Sequence, residues 1–236
     1  MKSFSISDIY LDDENKRVVD INPLPENVCN FDCVFCPFGK TDLKTKIKHY
    51  FPETESFINK LDKFLEENSV DKVFINPEGE ALYNTELSRI IEIIKSYGVS
   101  IKILSNGYIF NQTEYFNILK ECEEVVGELV VVNNNDFQKL QRPLEDFTIE
   151  KYIESMTEFS KNFAGEFIIA VNILKNYNDS PKALEELKKV LNKINPDSIY
   201  LETQDEERLK DTFAVSKEKL EEIKNIFSSF PCKIKV

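Results

Sequence analysis

A single histidine, His49, and only four arginines stand in 236 residues whose formal net charge is -12. A chain this acidic repels polyanions as a whole, and because phosphate contacts dominate nucleic-acid affinity, a nucleic-acid partner is disfavoured. No apolar run approaches the length of a membrane span, and residues 1–10 are polar and too short for a secretory leader, so the cytoplasm is the expected location. No linker interrupts the chain. Five cysteines, an odd number with three crowded together, do not form a disulfide framework. Hydrophobic residues still reach 42%, enough to bury a sizeable core. Residues 17–236 are therefore expected to form one domain behind a short lead, residues 1–16, that offers at most an extra strand.

What the sequence does have is Cys29-Asn30-Phe31-Asp32-Cys33-Val34-Phe35-Cys36, three thiols on one stretch between an expected strand and an expected helix. Three cysteines on a short loop can hold three corners of a cubane iron–sulfur cluster, whose irons prefer thiolate ligands. No fourth cysteine lies nearby. One iron would then stay open to an exogenous chelator, such as the amino and carboxylate groups of S-adenosylmethionine, and the loop reads as a reactive site rather than an electron store. Structural zinc takes paired ligands with a second pair farther along the chain, and the second pair is missing. A zinc knob of the three cysteines with His49 or a distant cysteine is the alternative. Cys122 and Cys232, single and in apolar contexts, read as buried thiols.

Strand and helix alternate with a period of roughly thirty residues, the mark of repeated βα units. Strands are expected at 17–24, 71–76, 100–105, 128–132, 167–174 and 198–202. Helical spacing covers 52–67, then Leu87, Ile90, Ile91 and Ile94 ahead of a stop at Gly98, then a stretch from an Asn111 cap to about Cys122. Two more helices are marked by Leu184, Leu187, Val190 and Leu191 and by Leu220, Ile223 and Phe227. Parallel strands joined by right-handed helical crossovers curl into an α/β barrel, and six units predict a partial (β/α)6 barrel of the TIM type. Chemistry in such barrels lies in the loops at the C-terminal ends of the strands. The cysteines follow the first strand, Glu78-Gly79-Glu80 the second, Ser105-Asn106-Gly107 the third and Asn133-Asn134-Asn135 the fourth.

The Cys-x3-Cys-x2-Cys spacing, with Phe35 ahead of the third cysteine, resembles the signature of the radical S-adenosylmethionine superfamily. The run from Val28 to Thr41 is similar to the cluster loop of its wyosine-synthesis branch. So, in the family's order, are Gly79-Glu80-Ala81-Leu82, Ser105-Asn106-Gly107, Gln141-Arg142-Pro143 and Asn178-Asp179-Ser180. The resemblance implies a [4Fe-4S] cluster on Cys29, Cys33 and Cys36, with S-adenosyl-L-methionine held by the loops above. Glu78, Gly79 and Glu80 offer acceptors and negative charge to its amino group. Ser105, Asn106 and Asn133 suit ribose hydroxyls and a carboxylate, while Phe35, through its main chain, and Leu201, by apolar contact, are candidates for the adenine. Ala81 stands where the family usually has proline, and Pro77 where relatives often have glycine.

The implied chemistry is reductive cleavage of S-adenosylmethionine to a 5'-deoxyadenosyl radical that abstracts hydrogen from a substrate, fed by a flavodoxin- or ferredoxin-like one-electron donor. The wyosine enzymes carry a second set of cysteines and bind transfer RNA; this chain lacks that set, so a small molecule or peptide is favoured as substrate. Lys102, Lys175, Glu202 and Gln204 are candidates to face it. Lys40, Lys44, Lys46 and Lys48 form either a solvated face or a local anion patch. Radical modification of a partner protein or peptide, and a non-catalytic iron–sulfur or S-adenosylmethionine-binding protein, are the other readings.

Overall fold

The computed structural model describes residues 4–235, and the lead already belongs to the sheet. β1 (Ser5–Ile6) and β2 (Tyr10–Leu11) lie antiparallel to β3 (Arg17–Asn22), with Ile6 opposite Ile21 and Tyr10 opposite Val18. A small parallel pair, β4 (Val28–Cys29) and β5 (Leu43–Lys44), brackets the cysteine loop. After α1 (Thr54–Glu67) comes β6 (Lys72–Ile75), then α2 (Leu87–Ser96), β7 (Ser100–Ser105), α3 (Thr113–Leu119) and β8 (Glu124–Leu129). A single turn, α4 (Asn134–Asp136), runs into a π-helical turn, Phe137–Gln141, and then α5 (Ile149–Asn162). The remainder is β9 (Glu166–Ile173), α6 (Pro181–Ile194), β10 (Ser198–Thr203), α7 (Glu207–Phe213), α8 (Lys217–Ile226) and β11 (Cys232–Lys235).

β3, β6, β7, β8, β9, β10 and β11 are parallel and neighbour one another in chain order. This is the expected partial α/β barrel, six βα units long, with β11 as a further parallel strand. Among the described residues β11 pairs with neither β1 nor β2, so the sheet stays open. One face, with Val73, Ile75, Ile101, Ile103, Ile169 and Leu201, packs under the helices in the main core. The other faces the lumen and carries Phe74, Lys102, Leu104, Val126, Ala170 and Tyr200. That alternation is the period of two of an extended chain, and burial on both faces explains the near-continuous apolar runs.

Local signals account for most boundaries. Leu87, Ile90, Ile91 and Ile94 are all buried, and Gly98 takes φ +69° as α2 ends. Ser180 accepts the Ala183 N–H at 3.3 Å with Pro181 beginning α6. Three expectations are corrected. The fourth parallel strand is Glu124–Leu129 rather than 128–132, because Glu124 pairs in register with Lys102 and Glu166 while Val130 and Val131 run on, buried, into the loop. Asn111 does not cap α3: Gln112 occupies that position, and the Asn111 side chain donates to Glu158 at 2.8 Å. The long helix α5 was not anticipated, although Ile149, Tyr152, Ile153 and Met156 have the right spacing and Thr148 accepts the Lys151 N–H.

Candidate active site in the loops above the sheet

The cysteine loop is held from below by aromatic packing and from the side by backbone hydrogen bonds. Phe31, between the first two cysteines and 1% exposed, meets Tyr108, Phe137, Phe147 and Tyr152 edge to face at 5.4–6.5 Å between centroids. The π-helical turn supplies the side clamp. Asp32 N–H donates to Gln141 O at 3.0 Å and Val34 N–H to Leu140 O at 2.8 Å. Gln141-Arg142-Pro143 thus serves the cysteine loop structurally, with Arg142 in a left-handed conformation (φ +43°) where the turn ends. Asn178-Asp179-Ser180 is also structural: the Asn178 amide donates to Val130 O and Asn172 O and accepts from Leu174 N–H.

Cys29, Cys33 and Cys36 all line one cavity of about 250 Å³, together with Asn27, Phe35, Pro77, Gly79, Ser105, Asn106, Glu128, Asn172, Glu202 and Gln204. Two asparagines aim donors at the sulfurs: Asn106 Nδ2 lies 3.7 Å from Cys29 Sγ, and Asn27 Nδ2 lies 3.9 Å from Cys36 Sγ. Phe31 N–H also points at Cys29 Sγ, at 3.5 Å. The loop after β6 comes close enough to touch the cysteine loop, Glu80 N–H donating to Val28 O at 2.7 Å. Gly79 makes that approach possible, since a Cβ there would sit 2.5 Å from Val28 O. Glu78 N–H is taken by Asn22 Oδ1, whereas the carbonyls of Glu78 and Gly79 receive no hydrogen bond among the described residues.

Several expected residues sit elsewhere. Glu80 does not enter the cavity; it is fully buried, and its carboxylate accepts from Ser105 Oγ at 2.8 Å, Asn106 N–H at 3.0 Å and Leu82 N–H at 3.3 Å, locking the loops after β6 and β7 together. Asn133 caps α4 through the Asp136 N–H and does not line the cavity. Leu201 is turned to the helix side of β10 and buried in the main core, because alternation along the strand gives the lumen to Tyr200 and Glu202. Glu202 and Gln204 line the cavity and Lys102 the lower lumen, whereas Lys175 is exposed away from both. Of the basic run, Lys44 donates to Pro143 O, Lys46 pairs with Asp146 at 2.7 Å and Lys48 with Glu114 at 2.6 Å, so these three fasten loops instead of forming an anion patch. Cys122 is buried as expected and Cys232 half-buried.

The cavity is acidic. Burial pushes the Glu128 carboxyl up to about 7, helped by the nearby Glu202 and Glu80 carboxylates. Glu80 is pushed to about 7 by burial despite its three donors. Burial, then Glu80, lifts the Cys29 thiol to about 12, and burial with Glu128 and the other two thiols raises Cys33 well above its ordinary value. Free thiols here stay protonated; iron, which binds thiolate, displaces those protons. Sequence reasoning missed Asn27, Glu128 and Asn172. Glu128 was legible only with the right register, which puts it near the C-terminal end of β8 and not at its start. Asn172 Oδ1 is buried without a partner.

No three Cys, His, Asp or Glu side chains among the described residues converge on one point as a single metal ion requires. A cubane places each thiolate on a different iron, so three sulfurs spread around one cavity fit it. His49 is remote from them in role: its ring bonds Thr45 Oγ1 at 3.1 Å, and its backbone bridges to Asn84. An open α/β barrel with a three-thiol loop over the C-terminal ends of its strands defines a class of cluster-bearing barrel proteins.

The chain belongs to the Radical SAM superfamily, whose sequence profile matches residues 25–191. It is 26% identical over 222 residues to a protein named GTPase Obg from Brachyspira hyodysenteriae, covering 92% of this chain and 32% of that one. It is 24% identical over 190 residues to the UPF0026 protein MJ1312 of Methanocaldococcus jannaschii, covering 79% and 59%. The chain therefore spans from a third to three fifths of the length of these relatives. Among solved structures, TYW1 with a lysine-pyruvate adduct bound superposes with a TM-score of 0.63 at 14% identity, over 90% of this chain and 74% of that one. This likeness shows the shared fold. No helix among the described residues is long and apolar enough to cross a membrane.

Proposed function

We propose that the chain is a radical enzyme that holds a [4Fe-4S] cluster on Cys29, Cys33 and Cys36 and binds S-adenosyl-L-methionine beside it. The observation that carries this is the opening of all three thiols onto one cavity whose wall includes the Gly79 and Asn106 loops. When bound, the two groups supply a 5'-deoxyadenosyl radical by one-electron reduction of the sulfonium. The protein's residues do the rest. The unengaged carbonyls of Glu78 and Gly79 accept from an amino group, and Asn172 Oδ1, buried without a partner, offers a further acceptor. Asn27 and Asn106 direct N–H groups at the coordinating sulfurs, which sets the cluster's electron affinity. Glu128, Glu202 and Gln204 face the remaining space, where a substrate C–H bond has to be positioned. A cavity of this size favours a small molecule, or one side chain of a peptide, over folded RNA.

Anaerobic reconstitution followed by S-adenosylmethionine and dithionite tests the reading. Methionine and 5'-deoxyadenosine should form, and Cys33→Ala should abolish both together with most of the bound iron. Four irons per chain without cleavage would leave a binding protein, not an enzyme.

A further inference from the structure

The cysteine loop has a second, outer side. Cys33 and Cys36 line not only the inner cavity but also a shallow depression of about 360 Å³ on the outside of the loop, bordered by Asp32, Val34, Gly39, Lys40, Arg142 and Arg208. Three of these eight residues are cations. Arg208, from α7, donates to Cys36 O at 2.6 Å and Pro37 O at 2.9 Å and lies 3.7 Å from Glu206. Lys40 and Arg142 are exposed, and among the described residues neither side chain forms an ion pair or hydrogen bond. The neighbouring Lys44, Lys46 and Lys48, by contrast, are all engaged. Asp32 is the one acid in the depression, and its carboxylate accepts the Thr41 N–H at 3.0 Å. Asp32 and, beside Arg208, Glu206 offset part of this charge, so Lys40 and Arg142 carry the positive charge left unpaired in a chain of net charge -12.

We propose that Lys40, Arg142 and Arg208 form the docking surface for an acidic one-electron carrier protein of the flavodoxin or ferredoxin class. This rests on the reading that the loop carries a cluster. The physical case is charge complementarity. An acidic carrier is repelled by the protein at large, and at physiological salt, where charges act over ~8 Å, only a local cationic patch can orient it. The patch adjoins two of the three coordinating cysteines, so a carrier seated there can deliver its electron beside the cluster without entering the cavity reserved for substrate. Electron balance is simple: one electron leaves the reduced carrier and one enters the cluster.

The test uses the reconstituted full chain, an acidic flavodoxin in its hydroquinone form, and a Lys40→Glu/Arg142→Glu variant with Lys40→Glu alone as a milder companion. Stopped-flow bleaching of the cluster absorbance gives the reduction rate, and fluorescence anisotropy of labelled flavodoxin gives the affinity. Both should fall about tenfold or more in the double variant at low salt, converge with wild type at high salt, and leave reduction by dithionite unchanged. Equal flavodoxin rates and affinities in wild type and variant, with dithionite active on both, would overturn the proposal while sparing the cluster assignment. Failure of dithionite to bleach the wild type would remove the cluster reading and the proposal together. Loss of single-stranded RNA binding with flavodoxin reduction intact would assign the cations to nucleic acid and overturn it as well.

Discussion

A methyl group on Gly79 would sit 2.5 Å from Val28 O and 2.9 Å from Val28 N, both backbone atoms that cannot swing aside. Gly79→Ala must therefore push the loop after β6 off the cysteine loop and strain the Glu80 N–H to Val28 O bond. A loss of about 1–3 kcal/mol, the usual cost of overpacking, is expected in urea unfolding, with weaker iron retention than wild type. Glu128 is a second single-residue case. Its carboxyl is raised from an ordinary value to about 7, so the folded apo chain favours the protonated form. The stabilisation is complete below the unfolded carboxyl's value near 4.5 and is lost as pH rises through 7. Glu128→Gln should flatten part of the fall in apo unfolding free energy between about pH 5 and 8, by up to about 3 kcal/mol in urea unfolding, leaving the share that Glu80 contributes. A profile unchanged by the substitution would mean that water in the cavity solvates the charge.

At the scale of elements, the decisive contact is Phe31 in its ring of aromatics, because it joins the cysteine loop to the loop after β7, the π-helical turn and α5. Phe31→Ala removes a side chain that is 1% exposed, and truncations of this kind cost about 3–5 kcal/mol. Its distinctive consequence is iron content below stoichiometric even at temperatures where circular dichroism reports a folded chain; full iron retention would show that the backbone clamp from Leu140 and Gln141 suffices. The same region divides what the sequence disclosed from what it hid. β7 and α2 were legible because a run such as Ser100–Ser105 or the spacing of Leu87, Ile90, Ile91 and Ile94 is a local pattern. The cysteine loop stood out because three thiols within eight residues are a local pattern, and its role as the cluster site remains a proposal. Glu128 was not, since the apolar stretch from Val125 to Val132 is longer than its strand and only pairing with β7 and β9 fixes the register. Glu80 and Asn133 were misdirected for another reason: residue type says that a side chain can bond, and only tertiary contacts say to what. α5 follows an irregular polar stretch that masked its start, and β11 is too short to announce itself.

On the scale of the whole molecule, the barrel lacks, among the described residues, the strand pairing that would close it, and its lower lumen, a cavity of about 510 Å³, is not filled by the apolar layers usual in closed barrels. Charge spans it instead. Lys72 of β6, 7% exposed, bonds Glu124 of β8 and lies 3.9 Å from Asp12 of the lead. Lys102 of β7 donates to Tyr200 of β10 at 3.0 Å and lies 3.7 Å from the same Glu124. Burial drives the Lys102 ammonium towards the neutral amine, and Glu124 opposes that. One carboxylate thus serves a buried and a largely buried cation and links strands across the concave face. Removing it alone leaves both ammonium groups desolvated without their common partner, which costs more than the pair contributes when both sides are replaced. Glu124→Gln should accordingly lose about 3 kcal/mol or more in urea unfolding. Lys72→Met/Glu124→Leu, which removes one cation along with the anion and fills space with apolar atoms, should lose distinctly less. Equal losses would mean that the lumen floor is wet enough to screen its charges, and that the open barrel is held by its parallel hydrogen-bond ladder and helix packing alone.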